Sequence, residues 1–131
     1  MLVKTITYED YNGNQRTEDF YFNISKAEVI EMELGVDGGL DARIKRLTQT
    51  MDGPEIMKLF KEIILKAYGV KSDDGKRIIK SEQLSTEFTQ TEAYSELLME
   101  LCTDPEKAAD FIKQILPKKV SQNSSIPAPQ Q

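Results

Sequence analysis

Apolar residues recur at helical spacing most densely between residues 52 and 70, in the stretch DGPEIMKLFKEIILKAYGV. They form one stripe: Ile56, Leu59, Phe60, Ile63 and Ala67, widened by Met57, Ile64 and Tyr68. This spacing is typical of an amphipathic helix, and a stripe wider than half the circumference must be covered on several sides. With Asp52 as its cap and Gly69 as its stop, the predicted helix should lie at the centre of the core.

The pattern before it predicts a β-hairpin. LVKTITYEDY and RTEDFYFNI are rich in β-branched and aromatic residues, and YNGNQ between them has turn chemistry. A two-residue turn would put Ile6 and Phe20 on opposite faces, whereas one buried face needs both. We therefore expect Ile6 to pair with Phe20. The same register pairs Leu2 with Ile24 and requires an odd-length loop in which Gly13 has a positive φ.

A short helix should follow the hairpin. Ser25 and Glu28 have the spacing of a capping box, in which each side chain bonds the other residue's backbone N–H. The helix should run from residue 26 to about residue 34 and bury three side chains: Val29, Ile30 and Leu34. Beyond it, GVDGG predicts a flexible joint, and residues 40–51 predict a polar helix lying on the central helix.

The segment after Gly69 predicts a second, smaller hairpin. Its turn residues are Asp73, Asp74 and Gly75, and Ile78 and Ile79 form the returning strand.

The chain is then helical with interruptions. SEQLSTEF predicts a short helix, and Thr89 with Glu92 predicts a capping box for the next one. That helix has the stripe Ala93, Tyr94, Leu97, Leu98 and Leu101. Asp104 and Pro105 start a last helix, which Pro117 stops. Its inward side chains are Ala108, Phe111, Ile112 and Ile115.

The elements together predict a single α+β domain over residues 1–116. It combines an N-terminal β-hairpin, a central buried helix, a small second hairpin and a mostly helical C-terminal half. Residues 117–131 are polar, contain Pro and Ser, and have almost no large apolar side chains, which predicts a disordered tail.

Composition limits the classes of function. The net charge is −5, which argues against nucleic acid as the main partner, and no apolar run has the length of a membrane helix. The N-terminus lacks the pattern of a signal peptide, so we expect a cytoplasmic protein. Its single cysteine, Cys102, has apolar neighbours and is expected to be a buried, reduced thiol.

Catalytic chemistry is nearly absent from the sequence. There is no histidine, the commonest general base and metal ligand, and no glycine-rich phosphate loop. The acidic turn at Asp73 and Asp74 lacks the ligand spacing of a calcium loop. We therefore expect no enzyme, no metal and no cofactor; a small hydrolase would need two distant carboxylates to meet in a pocket.

Two segments carry a resemblance to a known family. TEDFYFNISKAEVIEMEL and IMKLFKEIILKAYGVKSDDGKRIIKSEQLSTEFTQTEAYSELLMEL resemble the tail assembly chaperones of long-tailed, siphovirus-type bacteriophages and prophages of Gram-positive bacteria. The similarity covers about residues 3–116 and fades after Pro117. Its most distinctive part is AYGVKSDDGKR followed by EFTQTEAYSELLMEL.

The resemblance implies a non-enzymatic binding function in the host cytoplasm. Such chaperones bind the tape measure protein, a long, largely helical and apolar chain, and keep it soluble until the tail tube polymerises around it. The alternative is a structural tail or head-tail connector component that stays in the virion.

Binding a helical chain requires an apolar face, and the second C-terminal helix offers one. Our candidate face for partner binding is Leu98, Met99 and Leu101, because Met-containing surfaces adapt to varied sequences. The alternative is that these residues fill the core under the central helix.

Charge patterning suggests a homo-oligomer. Residues 58–80 have seven basic and three acidic side chains, whereas residues 81–112 have one basic and eight acidic. These segments could pair between copies as well as within one.

Family members are often made in two lengths by ribosomal slippage near the end of the first reading frame. Pro117, Lys118 and Lys119 can be encoded as CCA AAA AAG, which contains the slippery sequence A AAA AAG. Alternatively, the two lysines simply complement the dipole of the preceding helix.

Overall fold

The computed structural model describes residues 1–34 and 53–117. Its elements follow in the order β1 (Leu2–Glu9), β2 (Gln15–Phe22), α1 (Lys26–Leu34), α2 (Gly53–Ala67), β3 (Tyr68–Lys71), β4 (Ile78–Ile79), α3 (Glu82–Thr89), α4 (Glu92–Thr103) and α5 (Pro105–Ile115). This is the predicted α+β architecture, with both hairpins, the central helix and the helical C-terminal half. The predicted joint GVDGG, the predicted helix over residues 40–51, the Asp52 cap and the tail from Lys118 onward lie outside the described residues.

The four strands form one antiparallel sheet in the order β1-β2-β3-β4. Ile6 and Phe20 share a face, as predicted, and the loop over residues 10–14 has odd length with Gly13 at φ 81°. The predicted register is wrong, however, because Ile6 pairs with Glu18 and Leu2 pairs with Phe22.

The turn explains the register. The Asp10 carboxylate accepts hydrogen bonds from the backbone N–H groups of Asn12 and Asn14, both at 2.9 Å. The Asp10 N–H in turn donates to the Asn14 carbonyl at 2.8 Å, so the hairpin closes at this pair. The side-chain bonds of Asp10 therefore fix a register that the apolar pattern alone left open.

The central helix α2 buries most of the predicted stripe: Leu59, Phe60, Ile63, Ile64 and Ala67. Met57 is an exception, with 52% of its surface exposed, because it lies at the margin of the stripe near the start of the helix. The helix ends at Ala67 without using Gly69 as a stop, and Tyr68 already belongs to β3. The Ala67 carbonyl instead accepts the Asn23 N–H at 2.8 Å, which joins the helix end to the end of β2.

Helix α1 begins with the predicted capping box. The Ser25 N–H donates to the Glu28 carboxylate at 2.9 Å, and the Glu28 N–H donates to the Ser25 hydroxyl at 3.1 Å. Val29 is buried as predicted, but Ile30 is 59% exposed, because the next residue of a helix points about 100° away from the buried face. The Leu34 side chain lies outside the described part of the chain.

The C-terminal half confirms the second hairpin, with Gly75 at φ 74°. The cap of α4 is Thr91 and not Thr89: the Thr91 hydroxyl accepts the Tyr94 N–H at 3.3 Å, whereas Thr89 is the last residue of α3. Asp104 caps α5, with Pro105 in the first turn, as the sequence predicts.

One apolar cluster joins the sheet to the helices, and Phe88 of α3 lies at its centre. Its ring stacks on Tyr68 with centroids 4.3 Å apart and contacts Phe20, Phe22 and Tyr94. The last helix is tied to the same cluster, because all four predicted inward side chains of α5 are buried. The Ile24 N–H also donates to the carbonyl at the end of α5 at 2.9 Å.

Candidate partner-binding surfaces

The predicted binding face on α4 is divided by the fold. Leu101 is only 2% exposed and belongs to the core, and Leu98 is partly buried against it. Met99 is 65% exposed, because it points away from the side of α4 that faces the core. Of the three predicted residues, Met99 alone presents most of its side chain to solvent.

Cys102 is exposed, so the prediction of a buried thiol is wrong. It follows the buried Leu101 by one position and therefore points about 100° away from the core. Partial burial of the sulfur still raises the pKa of the Cys102 thiol above its usual value.

An open groove of about 840 Å³ lies between α2 and α3, and we call it the α2–α3 groove. Its apolar lining residues are Leu65 and Tyr94, and four hydroxyl residues line it as well: Ser81, Ser85, Thr86 and Thr89. The charged lining residues are Glu28, Lys61, Lys66, Lys80 and Glu82. Burial raises the pKa of the Tyr94 phenol above its usual value. The groove thus combines two apolar surfaces with small polar side chains and a charged rim.

Lys80 fixes one end of this groove. Its Nζ donates to both Glu28 carboxylate oxygens, at 2.8 and 2.9 Å, and to the carbonyls of Asn23 and Lys66, at 2.6 and 2.8 Å. Burial would raise the pKa of Glu28, but the bonds from Lys80 and from the Ser25 N–H outweigh it and lower that pKa. The Glu28 carboxylate is therefore charged at neutral pH, and the bonds of Lys80 join the end of β2 to α1 and α2.

A second groove, of about 390 Å³, runs between β1 and the α4–α5 helices, and we call it the edge groove. Four consecutive β1 residues, Lys4 to Thr7, line it. Side chains alternate along a strand, so four consecutive lining residues mean that the groove follows the strand's backbone edge. Lys4 pairs with Glu100 of α4, and Met99 borders the same groove.

The charges Lys4, Glu100 and Lys80 were missed by the sequence analysis. For Lys4 and Lys80, the sequence contained a signal that could have been used. Lys4 stands at a position of β1 whose neighbours on the same face are apolar, and Lys80 directly follows Ile78 and Ile79. A charge at an inward position requires a partner, although the sequence does not show which residue that is.

Among residues 1–34 and 53–117, no group of three or more His, Cys, Asp or Glu side chains is placed to bind a metal ion. The same residues contain no helix of the length and apolarity needed to span a membrane.

The described residues form a small α+β fold with two open grooves, and surface grooves and sheet edges are places where proteins bind other chains. Residues 1–131 match the family model described as phage tail assembly chaperone, and the chain belongs to this family. The match includes residues 117–131, past the point at which the resemblance was expected to fade. No curated protein and no solved structure matches the chain. Family membership points to a non-catalytic role.

Proposed function

We propose that this protein binds the tape measure protein of a siphovirus-type phage or prophage of a Gram-positive host. It acts in the host cytoplasm and keeps that long apolar chain soluble until the tail tube polymerises around it. The observation that carries the proposal is the family match over the whole chain.

The α2–α3 groove is the surface we assign to this partner. A helical segment satisfies its backbone hydrogen bonds internally, so it needs an apolar surface and room for close approach, not a strand edge. Leu65 and the 9% of Tyr94 that remains exposed supply the apolar contacts, while Ser85 and Thr86 of α3 are small enough to allow that approach. The exposed side chain of Met99, from the predicted face on α4, is a second candidate contact.

Co-expression with the tape measure protein tests the function. We expect the tape measure protein to be recovered in the soluble fraction, in a complex that elutes with this chain on size exclusion. Equal insolubility with and without this chain would overturn the proposal. Mass spectrometry of purified virions tests the alternative role, because a chaperone should be absent from the particle, whereas a structural component should be present in many copies.

A pair of tryptophan substitutions on α3 tests the groove. Thr86→Trp fills the groove with a large side chain, whereas Gln83→Trp places the same side chain at an exposed position of the helix that does not line it. We expect Thr86→Trp to reduce the recovered soluble tape measure protein several-fold and Gln83→Trp to leave it unchanged.

Met99→Glu tests the predicted face on α4 in the same assay. If Met99→Glu reduces the yield while Thr86→Trp does not, the assignment to the α2–α3 groove is wrong and the face on α4 is the binding surface.

A further inference from the structure

Among the described residues, strand β1 is an edge strand whose outer side is open for pairing. It has eight residues, and within the part of the chain that the structure describes, β2 alone pairs with it. The Asp10–Asn14 backbone hydrogen bond fixes which backbone groups of β1 point away from β2. Along an antiparallel ladder, residue pairs that share backbone hydrogen bonds alternate with pairs that do not. Tyr8, Ile6 and Lys4 therefore bond to β2, and the N–H and C=O groups of Val3, Thr5 and Thr7 face the edge groove.

This edge lacks the features that usually prevent strand pairing. Proteins protect edge strands with charges, prolines or bulges. The side chains of Val3, Thr5 and Thr7 are exposed and uncharged, and Glu9 is the one charged residue of β1 on their face. The Asp19 carboxylate of β2 lies on that face as well, but it accepts a hydrogen bond from the Thr5 hydroxyl at 2.7 Å. Lys4 points to the other face and is paired with Glu100. The opposite edge of the same hairpin differs, because residues 15–19 of β2 contain three charged side chains: Arg16, Glu18 and Asp19. Pairing is therefore favoured at β1 and disfavoured at β2.

We infer that two copies of this protein pair through β1, antiparallel and about a two-fold axis at Thr5, to form one continuous sheet of both copies. The inference does not depend on the proposed function.

The sequence of β1 is complementary to itself in this register. On the exposed face, Thr5 lies opposite Thr5 of the second copy and Val3 opposite Thr7, and pairs of β-branched residues are favourable neighbours across strands. On the inner face, Leu2 lies opposite Tyr8, and Lys4 opposite Ile6. No two like charges are opposed, and every backbone group that faces the groove gains a partner.

The walls of the edge groove also suit a second copy. They contain both signs of charge, with Lys4 and Lys107 beside Glu96, Glu100 and Asp104. A two-fold axis places such a mixed surface against itself without accumulating one sign. A helical segment cannot use this edge, because its own backbone groups are already bonded.

Proline substitutions on the two edges of the hairpin test the interface. Thr7 and Thr17 are cross-strand partners whose hydroxyls bond each other at 2.9 Å, so either substitution removes the same bond. The N–H of Thr7 points to the free edge of β1, whereas the N–H of Thr17 points to the opposite edge of the hairpin. Thr17 is not part of the Tyr21–Phe22 segment of β2 that pairs with β3. By sedimentation, we expect Thr7→Pro to weaken the dimer at least about tenfold, since two ladder bonds are lost. Thr17→Pro should leave it unchanged.

Disulfide trapping tests the register and does not rely on proline. In a Cys102→Ser background, Thr5→Cys should form a disulfide-linked dimer under mild oxidation, and Thr17→Cys should form no disulfide-linked dimer. Circular dichroism checks that each variant folds. If Thr7→Pro fails that check, the trapping experiment decides.

Three results would overturn the inference. These are a monomeric wild type at every concentration, equal effects of Thr7→Pro and Thr17→Pro, or trapping through residue 17 and not residue 5. Ionic strength separates this contact from charge pairing between residues 58–80 and 81–112. Association through β1 should persist in high salt, whereas charge pairing should be lost.

Discussion

At the residue scale, Lys80 connects parts of the chain that are far apart in sequence. Its ammonium group reaches Glu28 and the carbonyl of Asn23, which are 52 and 57 positions away. About a fifth of each side chain in the Lys80–Glu28 pair is exposed, so the pair is partly screened by solvent. Removing one partner leaves a partly buried charge without compensation, and the cost of that charge should exceed the net value of the intact pair.

We expect Lys80→Met to lower the free energy of unfolding by about 2 kcal/mol at neutral pH. Part of this loss comes from Glu28, whose pKa is held below its ordinary value of 4.5 in the folded protein. A carboxylate whose pKa is lower in the folded than in the unfolded protein stabilises the fold at pH values above the unfolded pKa. This stabilisation is lost as the pH falls through the folded pKa.

The difference between wild type and Lys80→Met should therefore shrink as the pH falls below about 4.5. Urea unfolding at several pH values measures it, and Lys76→Met, at an exposed lysine of the second turn, serves as the control. A difference that is constant with pH would show that the two backbone carbonyls bound by Lys80 account for the whole effect.

The exposed position of Cys102 makes a separate prediction. One thiol per chain should react with a disulfide reagent in the native protein without denaturant. Because partial burial raises its pKa, the rate should rise with pH over a range above that of free cysteine. Labelling followed by absorbance tests this, with Cys102→Ser as the blank. Reaction only after unfolding would contradict the exposed position.

At the scale of elements, the junction of α2 and β3 depends on close packing. Gly69 does not stop the helix. It pairs with Tyr21 inside the sheet, where an added Cβ would lie 2.6 Å from Ile78 Cγ1 and 2.9 Å from the Ile79 carbonyl oxygen. The second of these atoms belongs to the backbone, so it cannot move aside by changing a rotamer.

Gly69→Ala should accordingly lower the free energy of unfolding by about 1–3 kcal/mol. Gly53→Ala is the matched control, because no atom of the described residues lies within 4 Å of the Cβ it would add. We expect the control to be neutral or slightly stabilising, since alanine loses less backbone entropy on folding. Chemical denaturation compares the two variants, and equal stabilities would show that β4 can move away from β3 without cost.

At the scale of the whole molecule, the core formed by the described residues extends to the end of α5. Ile115 is fully buried, and the backbone hydrogen bond from Ile24 closes the cluster at the end of α5. Residues 120–131 are polar and contain no helical or strand pattern. They contribute little apolar surface, so we predict that they contribute little to stability.

Removal of residues 120–131 should leave the melting temperature essentially unchanged in scanning calorimetry. A large drop would show that the tail is structural.

The codons of the gene decide whether a longer product is possible. An intact adenine run at Pro117, Lys118 and Lys119 would permit slippage, and the shorter and longer products would then share the folded part. Any codon choice that breaks the run removes this proposal.

The sequence by itself determined the type and order of the described elements. Both hairpins, the positive φ of Gly13, the place of Gly75 in the second turn, the Ser25–Glu28 capping box and the Asp104 cap follow from residues a few positions apart. These features depend on turn chemistry, capping and periodicity, which act over short sequence distances. The apolar stripes of α2 and α5 could be predicted from the sequence for the same reason.

Only the tertiary structure decided the register of the first hairpin and which apolar side chains remained exposed. A stripe shows which face of a helix is apolar but not how far its neighbours cover it, so Ile30, Met57 and Cys102 were wrongly expected to be buried. For the same reason, the sequence did not show that Leu98, Met99 and Leu101 differ in solvent exposure. The Lys80–Glu28 pair, the Lys4–Glu100 pair and both grooves join residues distant in sequence. Their positions depend on how the elements pack, and local sequence patterns do not specify that packing.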